Sequence, residues 1–188
     1  MDRRKIKTKA EIKNAYYKLI EKKSANKITV TEIAKAANIE RKTFYLHYAC
    51  IEDIYLDIEN DFRETITSSL TKYISNEAET DRIFDELNKL ILSNMNFFKA
   101  ISRNDSYSFF LHMLENILTD AISIIAKEIY MVTSPNLSYY TKFYSAGIIK
   151  IYFDWLKGDS DLSIEDIRRI VTRSCFLSLK GLLETDNK

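Results

Sequence analysis

In the eight residues Arg41–Tyr48, RKTFYLHY, two cations, three hydroxyls and one imidazole fall together. No nucleophile there has a base and an orienting group beside it. What the set can do is pair with, and hydrogen-bond to, an anionic polymer. On a helix, Phe44 and Tyr48 stand four apart, share a face and pack inward. At about 100° per residue, Lys42, Tyr45 and Leu46 then point away from that core, with Arg41, Thr43 and His47 on the flanks. This is a poor face to leave in water and a good one for a DNA major groove. Arg and Lys reach guanine or phosphate, Thr and Tyr hydroxyls bond phosphate, and Leu touches a thymine methyl.

The charge distribution supports that reading. Residues 1–48 hold 13 Lys/Arg against 5 Asp/Glu, whereas residues 49–188 hold 15 against 22. A basic head on an acidic body implies that the head meets a polyanion and the body does not. Catalysis finds little support. The two histidines are His47, on the basic helix, and His112, in an apolar stretch where a core or pocket-rim position is expected. No H-E-x-x-H, G-x-S-x-G or phosphate loop occurs. His47 and Cys50 are three apart, but two ligands do not make a zinc site. No enzyme, cofactor or metal is therefore expected. Cys50 and Cys175 form no disulfide framework, the N-terminus MDRRKIKTK leads into no apolar segment, and no apolar run reaches the roughly 18 residues of a membrane span. These features predict a cytoplasmic chain with no membrane partner.

The elements that must position the basic helix follow from periodicity and caps. Three Gly and one Pro in 188 residues are too few for a sheet protein of this size, so the class is all-α. Ile12, Ala15, Tyr16, Leu19 and Ile20 form one stripe on a helix over Lys9–Lys23. Thr29 and Glu32 have the spacing of a capping box, which starts a short helix burying Ile33, Ala34 and Ala37. Asn38 is suited to the left-handed turn that ends it. A third helix over Arg41–Tyr48 completes a helix-turn-helix. Longer helices are expected over Glu52–Ile74, Ser106–Tyr130 and Leu137–Lys157, with weaker ones over Asp81–Leu92 and Asn96–Ser102. Gly158 closes the Leu137 helix, and Ser163 with Asp166 starts a last one running to Glu184.

The segment TVTEIAKAANIERKTFYLHYACIEDIY resembles the N-terminal DNA-binding region of the TetR family of bacterial regulators, over about residues 9–56. That region shows T-V-x-x-I-A-x-x-A-G-V, then x-x-T-(L/F)-Y-x-(H/Y)-(F/Y). Thr29, Val30, Ile33, Ala34, Ala37, Ile39, Thr43, Phe44, Tyr45, His47 and Tyr48 match in register. Four positions depart from it: Asn38 replaces a turn Gly, Glu40 a capping Ser, Ile51 a phosphate-binding Lys, and Thr31 a basic residue of several relatives. The resemblance implies that Thr29 and Thr31 join Arg41, Lys42, Thr43, Tyr45, Leu46 and His47 in contacting a double-stranded DNA operator.

The stretch Phe143–Ile167 is similar to C-terminal domains of some TetR-type proteins of Gram-positive bacteria, in its F-x-x-x-G-(I/L) and S-x-E-x-(I/L) patterns and in Trp155, Leu156 and Gly158, one residue closer than the W-(I/L)-x-x-G of those domains. It implies a homodimer through the last two helices, for which Phe143, Gly147, Ile151, Phe176 and Lys180 are the candidate contacts, and an effector cavity in the body. From the residues alone, the broad apolar surface of Leu137–Lys157 fits a second partner or burial within one chain equally well. Phe98, Tyr107, Phe110, Met113 and Phe143 are the candidates to line a pocket for an uncharged or weakly charged small-molecule effector with an aromatic or aliphatic body, or a cationic aromatic one if Glu115 turns inward, although core packing accounts for each alone. The expected organisation is a helix-turn-helix domain over 1–50 and a helical effector-binding and dimerisation domain over 51–188. The expected function is a ligand-responsive repressor acting as a homodimer; the alternative is an activator whose body docks a protein partner.

Overall fold

The computed structural model describes residues 3–73, 82–129, 131–158 and 160–174. Phe176, Lys180 and the expected helix end near Glu184 lie outside the described residues. The fold is all-α. Its helices are α1 (Arg3–Ile20), α2 (Val30–Ala36), α3 (Arg41–Tyr45), α4 (Glu52–Tyr73), α5 (Arg82–Ser93), α6 (Met95–Ser102), α7 (Ser108–Glu128) and α8 (Leu137–Lys157). A further helix, α9, covers 164–174.

The head forms as its local signals require. α1 begins six residues before the expected Lys9, because its first turns are built from good helix formers with no buried side chain to mark a period. The Lys7–Glu11 pair and a Thr8 hydroxyl donating to the Arg4 carbonyl at 3.0 Å lie along these turns. The capping box that starts α2 is complete: the Glu32 N–H donates to Thr29 Oγ1 at 3.3 Å, and the Thr29 N–H donates to the Glu32 carboxylate at 3.2 Å. α2 ends in a Schellman arrangement, with Asn38 at φ 54° and the Ile39 N–H donating to the Ala34 carbonyl at 2.9 Å. α3 starts without a side-chain cap at Glu40 and is α-helical only to Tyr45. The His47 and Tyr48 N–H groups then both close onto the Phe44 carbonyl.

In the body, α7 and α8 lie against each other, joined by a 2.7 Å bond between the Thr119 and Ser145 hydroxyls. α4 packs on α7, where Arg63 meets Asp120 at 2.7 Å. α6 packs between α1 and α8. α9 reaches α5 through Arg168 and Asp85 at 3.3 Å. α7 has the length and hydropathy of a membrane span. Here its inner face, Phe110, Met113, Leu114, Ile117, Leu118, Ala121 and Ile125, is buried as the central helix of a bundle requires. One core runs unbroken from Ile12 in α1 to Val171 in α9.

α8 separates into two faces. Leu137, Thr141, Tyr144, Ser145, Ile148, Tyr152, Phe153 and Leu156 are buried. The opposite side bears Tyr139 and Phe143, each 73% exposed, with Ala146 and Gly147 between them and the half-buried Ile151. Gly158 takes φ 89° as the C-cap, and Ser163 with Asp166 forms a reciprocal cap at the start of α9.

Candidate DNA-binding interface and its link to the body

α3 is oriented from beneath. Phe44 is wholly buried and Tyr48 nearly so, their rings 5.9 Å apart. With those two inside, Arg41, Lys42, Tyr45 and Leu46 are exposed, and Thr43 and His47 are half-buried on the flanks. Leu46 is 81% and Tyr45 49% exposed. These six side chains therefore lie on one outward surface. Thr29 and Thr31 are also exposed at the start of α2. The Thr29 hydroxyl is engaged by the capping box, donating to Glu32 at 3.0 Å, while among the described residues no partner holds that of Thr31. Of the two, Thr31 has the hydroxyl free for an incoming phosphate.

Glu40 plays a part its position as a weak cap did not suggest. Its carboxylate pairs with the Lys42 amine at 3.0 Å across an exposed surface. Such a pair contributes at most about 1 kcal/mol, so a duplex can displace it. Ile51, which stands where relatives carry Lys, is half-buried against the core and offers no phosphate contact.

Asp57 of α4 is the residue that sequence reasoning missed. It accepts from the Tyr48 hydroxyl at 2.6 Å and from the Lys9 amine at 3.0 Å, with Lys13 at 3.3 Å. Lys13 also pairs with Asp61, and the Lys9 amine sits over the Tyr48 ring, 5.1 Å from its centre. Partial burial works against the Asp57 charge, but the Tyr48 hydrogen bond and the two lysines outweigh it and hold the carboxyl below the ordinary aspartate range. α1, α4 and the segment that follows α3 are thus tied at one carboxylate. The only sequence signal was matched spacing: Lys9 and Lys13 on α1, Asp57 and Asp61 on α4.

Beyond α4, the head meets the body through aromatic rings and, among the described residues, two hydrogen bonds. Tyr55 packs on Tyr16 of the head, at 5.3 Å between ring centres, and on Phe109 of the body at 4.6 Å. Tyr17 packs on Phe97 at 4.7 Å. The Tyr107 hydroxyl donates to the Lys23 carbonyl at 2.5 Å, and the Ala25 N–H donates to the Ser106 hydroxyl at 3.2 Å. Burial holds the Tyr107 phenol well above its usual pKa, so it remains a donor.

A small, entirely apolar cavity of about 30 Å³ lies among α4, α5, α6, α7 and α8, between Phe62, Phe98, Leu114, Ile148 and Tyr152. Of the five residues expected to line a pocket, Phe98 lines this cavity. Tyr107 and Phe110 are wholly buried in the aromatic seam between head and body. Met113 is buried on α7, and Phe143 is on the outer face of α8. His112, expected in the core or at a pocket rim, is exposed on α7 with its ring 3.9 Å from Glu115. It lies about 200° round the helix from Phe110, on the side turned away from the bundle.

A family model for the C-terminal region of TetR-type transcriptional regulators matches residues 78–175, just over half of the chain. The chain belongs to the TetR family of transcriptional regulators. No curated protein matches it in sequence. Among solved structures, this TetR-family regulator is similar to the dihydroxyacetone kinase operon activator DhaS, with 19% identity, a TM-score of 0.68, and coverage of 93% of this chain and 97% of that one. It is also similar to a TetR transcriptional regulator from Streptococcus agalactiae, with 22% identity, a TM-score of 0.65, and coverage of 93% and 96%. A TetR-family regulator from Streptomyces coelicolor gives 16% identity, a TM-score of 0.60, and coverage of 93% and 83%. At these identities the likeness is one of fold. DNA binding through a helix-turn-helix is the property common to this family, and the outward surface of α3 belongs to that helix-turn-helix.

Proposed function

We propose that this regulator binds its operator as a homodimer, with residues 1–50 reading DNA and residues 51–188 carrying dimerisation and the regulatory input. The observation that carries the DNA-reading assignment is the outward set on α3. Leu46 and Tyr45 face solvent beside Arg41 and Lys42, held there by the buried Phe44 and Tyr48. Arg41, Lys42 and Leu46 address base edges. Thr31, Thr43, Tyr45 and His47 address the phosphate backbone, and Thr29 positions α2.

The dimer reading rests on α8. Two aromatic side chains on its outer face, Tyr139 and Phe143, are left in water by a single chain. Burying one such ring contributes roughly 1.5–3 kcal/mol. Gly147 beside them lets a partner helix approach closely, and Ile151 continues the stripe. Two heads then enter successive major grooves about 34–36 Å apart. Repression relieved by an apolar effector is the regulatory mode we assign. The effector enters at the carbon-lined cavity and has to open it, because about 30 Å³ holds little more than one water. The small size of that cavity also favours a second reading, activation with a protein partner docked on the body. The likeness to a protein named an operon activator points the same way.

Selection of duplexes from a random-sequence pool, followed by anisotropy titration across salt, tests the core proposal. We expect a two-half-site duplex bound with affinity falling steeply and linearly in log salt. Equal affinity for every duplex at all salt concentrations would remove the sequence-reading role.

A further inference from the structure

The cleft between the C-terminal end of α1 and α6 carries a charge pattern that DNA reading, dimerisation and the apolar cavity leave unexplained. We propose that it is a binding site for a small multivalent oxyanion, an organic phosphate or a polycarboxylate. The cleft is open, about 510 Å³ in volume, with Lys22, Lys23 and Ser24 on one wall and Asn96, Lys99 and Arg103 on the other. Beyond Glu21 and Asn96 it continues as a second hollow toward Lys18 and Tyr17.

What marks these cations is their grouping across one cleft, since Lys72, Lys127, Lys142 and Lys157 of the body also face no carboxylate among the described residues. The body is acidic, and in it Arg63, Lys89, Lys150, Arg168 and Arg169 each face a carboxylate. Lys99 and Arg103, one turn apart at the end of α6, face none among the described residues; the Arg103 guanidinium donates only to the Lys157 carbonyl, at 3.2 Å. Across the cleft, Lys18 and Lys22 also lack a carboxylate, while Lys23 is taken by Glu32. Lys22, Lys99 and Arg103 therefore line the cleft and Lys18 the adjoining hollow, over a single lining carboxylate among the described residues, that of Glu21. The C-terminal ends of α1 and α6 contribute about half a negative charge each, which leaves an excess of about two positive charges. Like charges brought together this way repel, and a dianion between them removes the repulsion. Neutral donors stand ready beside them. Asn104 uses its Oδ1 to accept from the Ser106 N–H at 3.1 Å, which leaves its amide N–H groups free, and Asn96 and Ser24 line the same space.

The position gives the site a consequence. One wall is the turn that leads into α2, and the other is the helix that packs on α8. An anion bridging the walls holds head and body together alongside the Tyr107–Lys23 bond. It biases head spacing from a place separate from the apolar cavity.

Thermal unfolding and calorimetric titration of the full-length protein test this, with inorganic pyrophosphate and citrate as probes and sodium chloride at matched ionic strength as control. We expect saturable stabilisation by at least one probe beyond the salt control. Pyrophosphate alone would assign the site to phosphates, citrate alone to polycarboxylates, and both to the shared oxyanion chemistry. Lys22→Ala and Lys99→Ala should each weaken probe binding about tenfold, the loss of one charged hydrogen bond, while their unfolding without probe is unchanged or later. Stabilisation that only tracks ionic strength, or binding by both variants as tight as by the unmodified protein, would overturn the proposal. So would a loss of duplex affinity in Lys99→Ala with a lowered salt slope, because the cleft would then be an extension of the DNA backbone contact.

Discussion

The Tyr107 hydroxyl reaches from the α6–α7 turn to donate a 2.5 Å hydrogen bond to the carbonyl of Lys23, whose amine in turn pairs with Glu32 in the cap of α2. One residue thus connects the body's aromatic seam to the start of the DNA-reading hairpin. Tyr107→Phe keeps the ring against Phe109 and Phe110 and removes only the donor. It should cost about 1 kcal/mol of unfolding free energy by denaturant titration, with circular dichroism unchanged. A cost near zero would mean that the bond contributes nothing to joining head and body.

Asp57 predicts an acid-sensitive head. Its folded pKa is depressed, so its contribution is fully present above the unfolded value of about 4 and is lost as pH falls through the lower folded value. Asp57→Asn should lose about 1 kcal/mol at neutral pH, discounted for partial exposure. The gap to the unmodified protein should close as pH drops below about 4. Parallel stability curves for the two proteins across that range would rule out the Tyr48–Lys9–Lys13 arrangement as its source.

On α3, Lys42→Ala and Tyr45→Phe should fail differently. In the proposed reading Lys42, free of its exposed pair with Glu40, addresses a base edge, so its loss should cost about 1–3 kcal/mol on the selected operator and change the preferred base. Tyr45→Phe removes a phosphate contact and should weaken all duplexes alike. Glu40→Gln should tighten binding generally by releasing Lys42. Equal losses on operator and random duplex for Lys42→Ala would exclude base reading at that position.

Elements whose cause is local could be read from the chain. The Thr29–Glu32 box, the left-handed Asn38, the inward Phe44 and Tyr48, and the caps at Gly158 and Ser163 each depend on a few neighbouring residues, and each is present. What depends on packing between distant helices could not be read. α8 is apolar around most of its circumference, so periodicity does not say which side the bundle covers; α6 and α7 decide that, and leave Phe143 outside. Tyr107 and Phe110 looked as suited to a pocket as to a core. They lie in the seam because α1 and Tyr55 close over them, and that closure has no signature in residue spacing. Asp57 became legible only once α4 was laid along α1.

Gly147 separates the dimer from the fold of a single chain. A Cβ built there meets nothing within 4 Å, and the residue faces outward in the middle of α8. Gly147→Leu therefore puts no strain on its own chain, and it improves intrinsic helix propensity by roughly 0.8 kcal/mol. In a dimer packed across Phe143 and Ile151, the same side chain occupies the space where the partner helix approaches, and well-packed contacts tolerate added volume poorly. We expect unchanged helical content by circular dichroism, a shift from dimer to monomer by sedimentation at micromolar concentration, and a large loss of affinity for a duplex carrying two half-sites but little for one carrying a single half-site. A dimer in the variant as tight as in the unmodified protein would move the interface away from this face. An unmodified protein that sediments as a monomer at that concentration would remove the dimer altogether.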